Sequence, residues 1–594
     1  MRSGDHLGVW FRVPRPETSG EMDGRHQGYV PAALRWKSQL PTQLHRIKET
    51  TGPEQGTETP GLEMHPPRLS GFRHGPFGPR QWHYVGTPRT RHRGDGGKPD
   101  DGLRPSESGR AGWLREADMT PMFAGLLEGW ATEAPDAPVW LAGHRIWRVR
   151  QVAQHACQLA TRLIHHGLKP GEPVSLHLAP EACWPAIVAG VWKAGGIIVP
   201  VDPAAGDAGR VAALAGTRLR IHSGASRNGA HVLGSPLSTK RSRVSFPEVL
   251  PGAVAALMAT SGSTGEPRLV ALTHGNLLHT AGVRAALADH RPGDLTLSWL
   301  PLHHAYAFSA DLLKSVIARV PVRRVAPARI LKALARFHPT HLHAVPRLYE
   351  KIREKALAGV PLEGLTGRRL RWAGCGGAPL PAWLAAWFAS RGLPLLEGYG
   401  LTEASPLVSL NTPRAHRIGT AGAVVPGTEV RIAGDGEILV KGPGVMPGYW
   451  NDPKATAEAL ESGWLRTGDL GRIEDGFLVV NGRKKDLLAL STGRKVPPLP
   501  AEMAAMAIPW VRRAVVCGHG KPYPVLLAWR DGAAGSEEEI MLAMERLDKR
   551  VRPGRVVFAD RPLSVERGEL TELGKLKRSV IEAHWREALW PRVP

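Results

Sequence analysis

Cysteine is scarce in this 594-residue chain: four residues, at 157, 183, 375 and 517, with no CxxC pair and no metal-ligand spacing. A disulfide framework is excluded on that count, and a reducing compartment is favoured. Long apolar runs are missing as well. The longest candidate, residues 186–201 (AIVAGVWKAGGIIVPV), carries a lysine and falls short of the roughly 20 residues a spanning helix needs. The expectation is a protein that does not cross a bilayer. Acidic residues are outnumbered, 54 against 77 Lys and Arg, which gives a formal charge of +23 and a pI near 10.3. Such a surface attracts anionic headgroups as well as nucleic acid. No zinc finger, RRM or repeat of interleaved aromatic and basic residues accompanies the charge, so dedicated nucleic-acid binding is not expected.

What is present is a phosphate-cradling loop. Residues 260–267 read TSGSTGEP and follow the apolar run AVAALMA. Gly262 and Gly265 permit turns closed to most side chains, so consecutive N–H groups can converge on one anion, and Thr260, Ser261, Ser263 and Thr264 add hydroxyl donors. No Lys-Ser or Lys-Thr follows at Walker A spacing, which weakens kinase and GTPase readings. Alone, such a cluster equally fits a surface turn.

Further blocks occur in a fixed order: residues 260–276 (TSGSTGEPRLVALTHGN), 300–308 (LPLHHAYAF), 344–352 (AVPRLYEKI) and 374–381 (GCGGAPLP), then 397–406 (EGYGLTEASP), 463–469 (GWLRTGD), 481–498 (NGRKKDLLALSTGRKVPP) and 569–578 (ELTELGKLKR). Together they resemble the adenylate-forming superfamily, and within it the long-chain acyl-CoA synthetases, over about residues 119–594. The resemblance implies an α/β fold with a large multi-sheet adenylation domain at 119–482 and a small mobile α+β domain at 483–594. It implies ATP-dependent conversion of a fatty acid to acyl-AMP with release of pyrophosphate, then transfer to coenzyme A, with magnesium as the metal. The spacer between AVPRLYEKI and GCGG is short, where long-chain members often carry a helical insertion. Chain length therefore stays open, medium-chain and aromatic acids included, as does a carrier-protein thiol as the acceptor. A non-catalytic lipid-binding or interaction protein on the same scaffold is the remote alternative.

Site roles follow from the same resemblance, residue by residue. The glycine loop would hold the β and γ phosphates with Arg268, which stands where the family usually has lysine and replaces a mobile point charge with a rigid fork. Glu403 would bind magnesium and Thr402 the α-phosphate, a carboxylate supplying the hard oxygen that ion prefers. Tyr399 would stack on adenine opposite Gly376, Gly377, Ala378 and Pro379. Asp469 would accept both ribose hydroxyls, with Arg483 as an added donor. Lys575, brought in on the small domain, would meet the α-phosphate during adenylation and then withdraw, although Glu572 replaces the usual proline before it. Lys485 would be the hinge, and residues 491–495 (STGRK) would face the thiol channel. His304, Tyr306 and Phe308 would wall the acyl site. Read without the resemblance, Glu403 fits a solvated surface, His304 a core histidine, Lys484 and Lys485 plain surface charge, and Lys577 with Arg578 a basic helix start.

Residues 1–118 are rich in Gly, Pro, Arg and His and keep no period of 2 or 3.6, poor material for a core. They lack the apolar stretch of a secretory signal, and their 14 Asp and Glu argue against a transit peptide. The expectation is a disordered extension, or an upstream region joined by a mistaken start with Met119 or Met122 as the true beginning; peptides mapping before Trp113 in protein made from the native gene would exclude the latter. From about 123 helices and strands alternate. FAGLLEGWA and the stretch from Trp147 to Gly167 read as helices, VSLHLAP as a strand, and residues 181–203 as a helix closed near Gly195 and Gly196 that hands to another strand. Their uninterrupted apolar character fits parallel strands buried on both faces. Lacking a spanning segment, the protein is expected to be cytoplasmic with weak peripheral association at an anionic inner membrane.

Overall fold

The computed structural model describes residues 8–11, 122–202, 208–222, 244–261, 267–530, 535–570 and 576–591. Before 122 the described residues are the strand Gly8–Phe11, antiparallel to Leu219–His222. The expectations for the rest of 1–118 fall on residues outside those described.

Two large sheets build the major domain. One orders Leu219–His222, Pro173–His177, Ile197–Pro200, Val254–Ser261, Pro267–Thr273 and Gly448–Tyr449 side by side. Its first members are parallel, and Ile197–Pro200 is buried at every position, as expected of a strand covered on both faces. The second sheet has a parallel block of Pro138–Ala142, Val322–Arg324, Thr296–Ser298, His341–Ala344, Trp372–Cys375 and Leu395–Tyr399. It continues through short antiparallel strands into the long ribbon Trp464–Glu474 and Phe477–Arg483. The fold is α/β in this domain, with a smaller α+β domain after it.

The helix Val149–His165 buries Val149, Val152, Ala156, Leu159, Ala160 and Leu163, the recurrence of a single helical face. Each large member of that stripe contributes about 1.5–3 kcal/mol by leaving water. It packs on Trp184–Lys193, which is buried on all sides because it lies between that helix and the sheet. Gly190 makes the crossing close: a Cβ there would stand 2.9 Å from the Ala156 carbonyl oxygen and from Leu159 Cβ. The indole N–H of Trp192 donates to the Ala255 carbonyl at 2.8 Å and fastens the pair to the sheet. The expected helix from Trp147 begins later. Arg145–Arg148 is a strand in a hairpin with Pro138–Ala142, turned by Gly143 at φ +55°, and the Arg148 N–H donates to Gln151 Oε1 as the helix cap.

In the small domain, alternation along one sheet produces two cores. The strands Val511–Cys517, Val525–Arg530 and Arg555–Phe558 pair in that order. Val511, Ala514, Val516, Leu526 and Ala528 pack with Ala501, Ala505 and Ile540 from the helices Leu499–Met506 and Glu537–Ala543. Val515, Cys517, Val525, Leu527 and Trp529 pack with Ile581 and Trp585 of the chain's end. A period of two thus gives one face to each helical layer. Arg578, expected as a basic helix start, does open the helix Arg578–His584, but its guanidinium turns inward to Glu502 and to the Val516 carbonyl at 2.6 Å.

Candidate active site

The glycine-rich loop joins two antiparallel strands whose register pairs Thr260 with Arg268 and Ser261 with Pro267. Gly262, Ser263, Thr264 and Gly265 lie outside the described residues, but both ends of the loop are set by the ladder. Thr260 Oγ1 donates to the Arg268 carbonyl at 3.4 Å. Arg268 projects over the ring of Tyr449 at 5.7 Å, and Tyr449 pairs across the sheet with Val270. The Tyr449 hydroxyl donates to Glu403 Oε1 at 2.9 Å. Burial, with the Glu403 carboxylate beside it, pushes the Tyr449 phenol well above its ordinary pKa, so it stays a donor. One tyrosine therefore joins the loop's cation to the carboxylate expected to take magnesium.

Glu403 and Thr402 sit in a single 3-10 turn, Thr402–Ala404, beyond the strand Leu395–Tyr399. That strand runs two residues past Glu397, so only Gly400 onward projects from its carboxyl end. Gly400 is required, since a Cβ would stand 2.2 Å from the Pro406 carbonyl oxygen. The turn ends with Ser405 at φ +59° and is pinned by the helix His274–Leu287: Thr280 Oγ1 donates to the Ser405 carbonyl at 2.8 Å and Arg284 to the Pro406 carbonyl at 3.1 Å. A reciprocal capping box between Thr273 and Asn276 fixes the start of that helix.

Tyr399 and Asp469 meet directly. The phenol donates to Asp469 Oδ2 at 2.7 Å, and Arg483 Nε stands 3.1 Å from Oδ1 of the same carboxylate. Burial raises the Asp469 carboxyl above the usual range, and the Arg483 guanidinium opposes it. Asp469 and Arg483 face each other across the antiparallel ribbon, so the expected ribose acceptor is tied to the residues leading into the small domain. Lys485 is exposed in the 3-10 turn Lys484–Asp486, while Lys484 bridges Asp435 at 2.7 Å and the buried Glu437 at 2.8 Å. Residues 491–495 form an exposed turn with Gly493 at φ +79°. Lys575 lies outside the described residues.

Gly376 is buried against Tyr306, which stands 3.2 Å from where a Cβ would be, and Gly377 is left-handed at φ +78°. Ala378 and Pro379 are exposed beside it. A cavity of about 50 Å³ opens between Gly374–Gly377 and Gly398–Gly400, and Arg284, Tyr306, His343 and Trp372 close it. The Arg284 guanidinium lies 5.7 Å from the Tyr306 ring centre. Tyr306 lines this cavity, whereas Phe308 is fully buried and packs edge-on against Trp192. His304 is exposed at the cap of Ala305–Ala307 and is not a core histidine. The side chains of the adjacent His303 and His304 do not diverge: their ring centres lie 4.4 Å apart, with His304 in an extended conformation ahead of the helix.

Four charged or phenolic groups escaped sequence reasoning. Tyr449 left no signal beyond a Gly-Tyr pair. Arg284 falls on the buried face with Leu277 and Ala281, and Asp311 with Lys314 interrupts an apolar stretch at spacing three; charges on apolar helical faces were the available clue. His290, Asp294 and His341 also bring one ligand atom each within 4.8 Å of one another. Asp294 already accepts from Arg371 at 2.5 Å and from the Arg291 N–H at 2.8 Å, which makes it an ion-pair anchor for the loop.

Residues 127–450 match the family model for AMP-binding enzymes, and 485–552 match that for the AMP-binding enzyme C-terminal domain. The chain belongs to the AMP-binding enzyme family. It is 35% identical over 320 residues to the long-chain-fatty-acid–CoA ligase FadD15 of Mycobacterium bovis, a match covering 45% of this chain and 53% of that one. The chain thus spans about half the length of that curated relative. Feruloyl-CoA synthase of Amycolatopsis is 31% identical over 487 residues, covering 75% of this chain and 97% of its own. Among solved structures, O-succinylbenzoate coenzyme A synthetase of Bacillus subtilis in complex with ATP and magnesium superposes with a TM-score of 0.63 at 25% identity, covering 76% of this chain and 98% of that one.

Proposed function

We propose that this chain activates a compact carboxylic acid, aromatic or medium-chain, as its adenylate at the expense of ATP and passes the acyl group to coenzyme A. The observation that carries the substrate class is the polar end of the cavity beside Gly376, where Arg284, Tyr306 and His343 stand. An alkyl tail driven against a buried guanidinium and imidazole would take away their solvation and return nothing. The near full-length match to a feruloyl-CoA synthase supports the same class. Long-chain fatty acids are the second reading, favoured by the 35% identity to FadD15. A carrier-protein thiol is the alternative acceptor.

In this reading the domains divide at 482/483. The hairpin loop from Thr260 to Gly265 and Arg268 hold the terminal phosphates, Tyr399 and Gly376–Ala378 hold adenine, and Asp469 with Arg483 holds ribose. The residues present fit magnesium: the Glu403 carboxylate is half-buried, oriented by Tyr449 and adjacent to the Thr402 hydroxyl. Bound there, the ion would neutralise phosphate charge. His304 and Tyr306 flank the acid, Lys575 serves adenylation, and rotation about Lys485 admits the thiol. The place of action is the cytoplasm, with peripheral contact to anionic membrane. The test is pyrophosphate release from purified protein given ATP, magnesium and a panel of aromatic, medium-chain and long-chain acids, with and without coenzyme A or an acyl carrier protein. Release with compact acids that coenzyme A accelerates is expected. Preference for long-chain acids would select the second reading, and discharge of acyl-AMP onto the carrier alone would change the acceptor.

A further inference from the structure

Behind the cavity lies a cluster of charge that the adenylation chemistry leaves unused. The described part of the first wall helix ends its buried face in Arg284, 5% exposed, with one amino group on the Pro406 carbonyl and its Nε without a hydrogen-bond partner. The second wall segment is a π-helical turn, Phe308–Leu313, followed by Lys314–Ile317. It carries Asp311, fully buried, and Lys314, 1% exposed. Widened turns of this kind gather at functional sites. Asp311 Oδ1 lies 2.8 Å from His343 Nδ1, while its second oxygen has no partner. Lys314 Nζ has none either, although Asp311 is three residues away on the same face.

The charges do not cancel. Burial brings the His343 imidazole down to about 4, with the Asp311 contact opposing, so it is neutral near pH 7. Burial brings Lys314 down to about 8, with Asp311 holding it up and Arg284 pushing it further down, so it remains mostly protonated. Arg284 and Lys314 thus both face Asp311, while Asp294, which also acts on Lys314, already accepts from Arg371. A buried ammonium without a partner is a liability for folding, and a folded chain retains one where a ligand supplies the missing anion.

We propose that the acid bound here carries a second carboxylate, read by Arg284 from the cavity wall with Lys314 completing the charge balance behind it. The proposal rests on the acid–thiol ligase reading and narrows its substrate. The activated carboxylate lies toward Thr402 and Glu403, and the second points away from them, between the Arg284 guanidinium and the Tyr306 hydroxyl. A planar fork suits a carboxylate better than the point charge of lysine would. The Arg284 bond to Pro406 gives this residue a structural duty as well, which is why Lys314, bonded to nothing, is the sharper probe.

The experiment compares matched pairs, hexanoate with adipate and benzoate with terephthalate, by pyrophosphate release from the full chain with magnesium and ATP. Adipate and terephthalate are expected to exceed their partners in kcat/KM by tenfold or more, mostly through KM. Lys314→Met and Arg284→Met should each cut that ratio by tenfold or more, and Arg284→Lys should recover part of it. Melting curves establish which variants fold. Equal use of both members of each pair by the wild type overturns the proposal whatever the variants do. So does a ratio unchanged in folded Lys314→Met. Absence of release with every acid overturns the ligase reading itself.

Discussion

Tyr449 spans the gap between the loop's cation and Glu403, and its removal tests whether that link orients the carboxylate. A hydrogen bond to a charged group is worth about 1.5–3 kcal/mol. Tyr449→Phe keeps the ring under Arg268 and deletes the donor at 2.9 Å. We expect adenylation to fall by about tenfold or more with a raised magnesium requirement, read from pyrophosphate release across a magnesium titration; an unchanged titration would remove the tyrosine from the site. A second residue is poised by burial alone. Glu397 pairs with Cys375 across the sheet and accepts the Leu380 N–H at 3.1 Å, with His416 and Arg417 bordering the same recess. Burial pushes its carboxyl up to about 8. Between the ordinary value near 4.5 and about 8, the folded chain holds a proton that the unfolded chain releases. Its contribution to stability is therefore complete below about 4.5 and lost as pH rises through about 8. Glu397→Gln should flatten the fall in melting temperature between pH 5 and pH 8. A slope as steep as wild type at those pH values would assign the titration to other groups. Glu403 and Asp469 were legible because each stands in a motif, whereas Tyr449 and Arg284 were not, because their roles come from partners 46 and 122 positions away.

At the scale of elements, sequence reading succeeded where one strand or helix carries its own pattern. The run VSLHLAP reads as a strand and supplies Pro173–His177, and the helix expected within 181–203 is Trp184–Lys193. It failed where geometry is borrowed. The strand Arg145–Arg148 exists because Pro138–Ala142 pairs with it, and the π-turn at Phe308 has no local signature. The link between domains shows the same dependence. Lys485 was named for its position after Arg483, while the anchoring of its neighbour Lys484 by Asp435 and Glu437 comes from another hairpin. That anchor holds the chain on the large-domain side of the turn, so motion is expected to begin at Lys485. Proline there fixes φ near −65° and disfavours the helical region at Lys484. Lys485→Pro should slow thioester formation from supplied acyl-AMP more than it slows adenylation. Lys575→Ala should do the opposite, since its proposed contact serves the first half-reaction only. Single-turnover assays of the two halves decide this pair: equal losses in both halves for either variant would remove that residue from its assigned role.

For the whole molecule, composition alone indicated an excess of positive charge, but not where the charge resides. Residues 1–118 hold 18 of the 77 Lys and Arg and 14 of the 54 Asp and Glu, so +19 of the formal +23 belongs to 119–594. Some of it is neutralised in pairs, as with Arg319 on Glu133 and Arg561 on Glu569, and some is enclosed, as with Arg284 and Lys314. Other cations among the described residues, such as Arg414 and Lys485, are exposed. None of the described helices is long and apolar enough to cross a membrane. Attraction to an anionic bilayer would then be electrostatic and long-range, and it should disappear at 1 M salt, where the Debye length is about 3 Å. We expect the full chain to co-sediment with vesicles containing phosphatidylserine and not with phosphatidylcholine alone, and to be released by a 1 M wash. A version beginning at Met119 should retain most of that binding, because most of the charge stays with it. Equal pelleting with neutral vesicles, or retention after the salt wash, would replace the electrostatic account with insertion of apolar surface. Loss of binding on removing 1–118 would place the contact in the amino-terminal region instead.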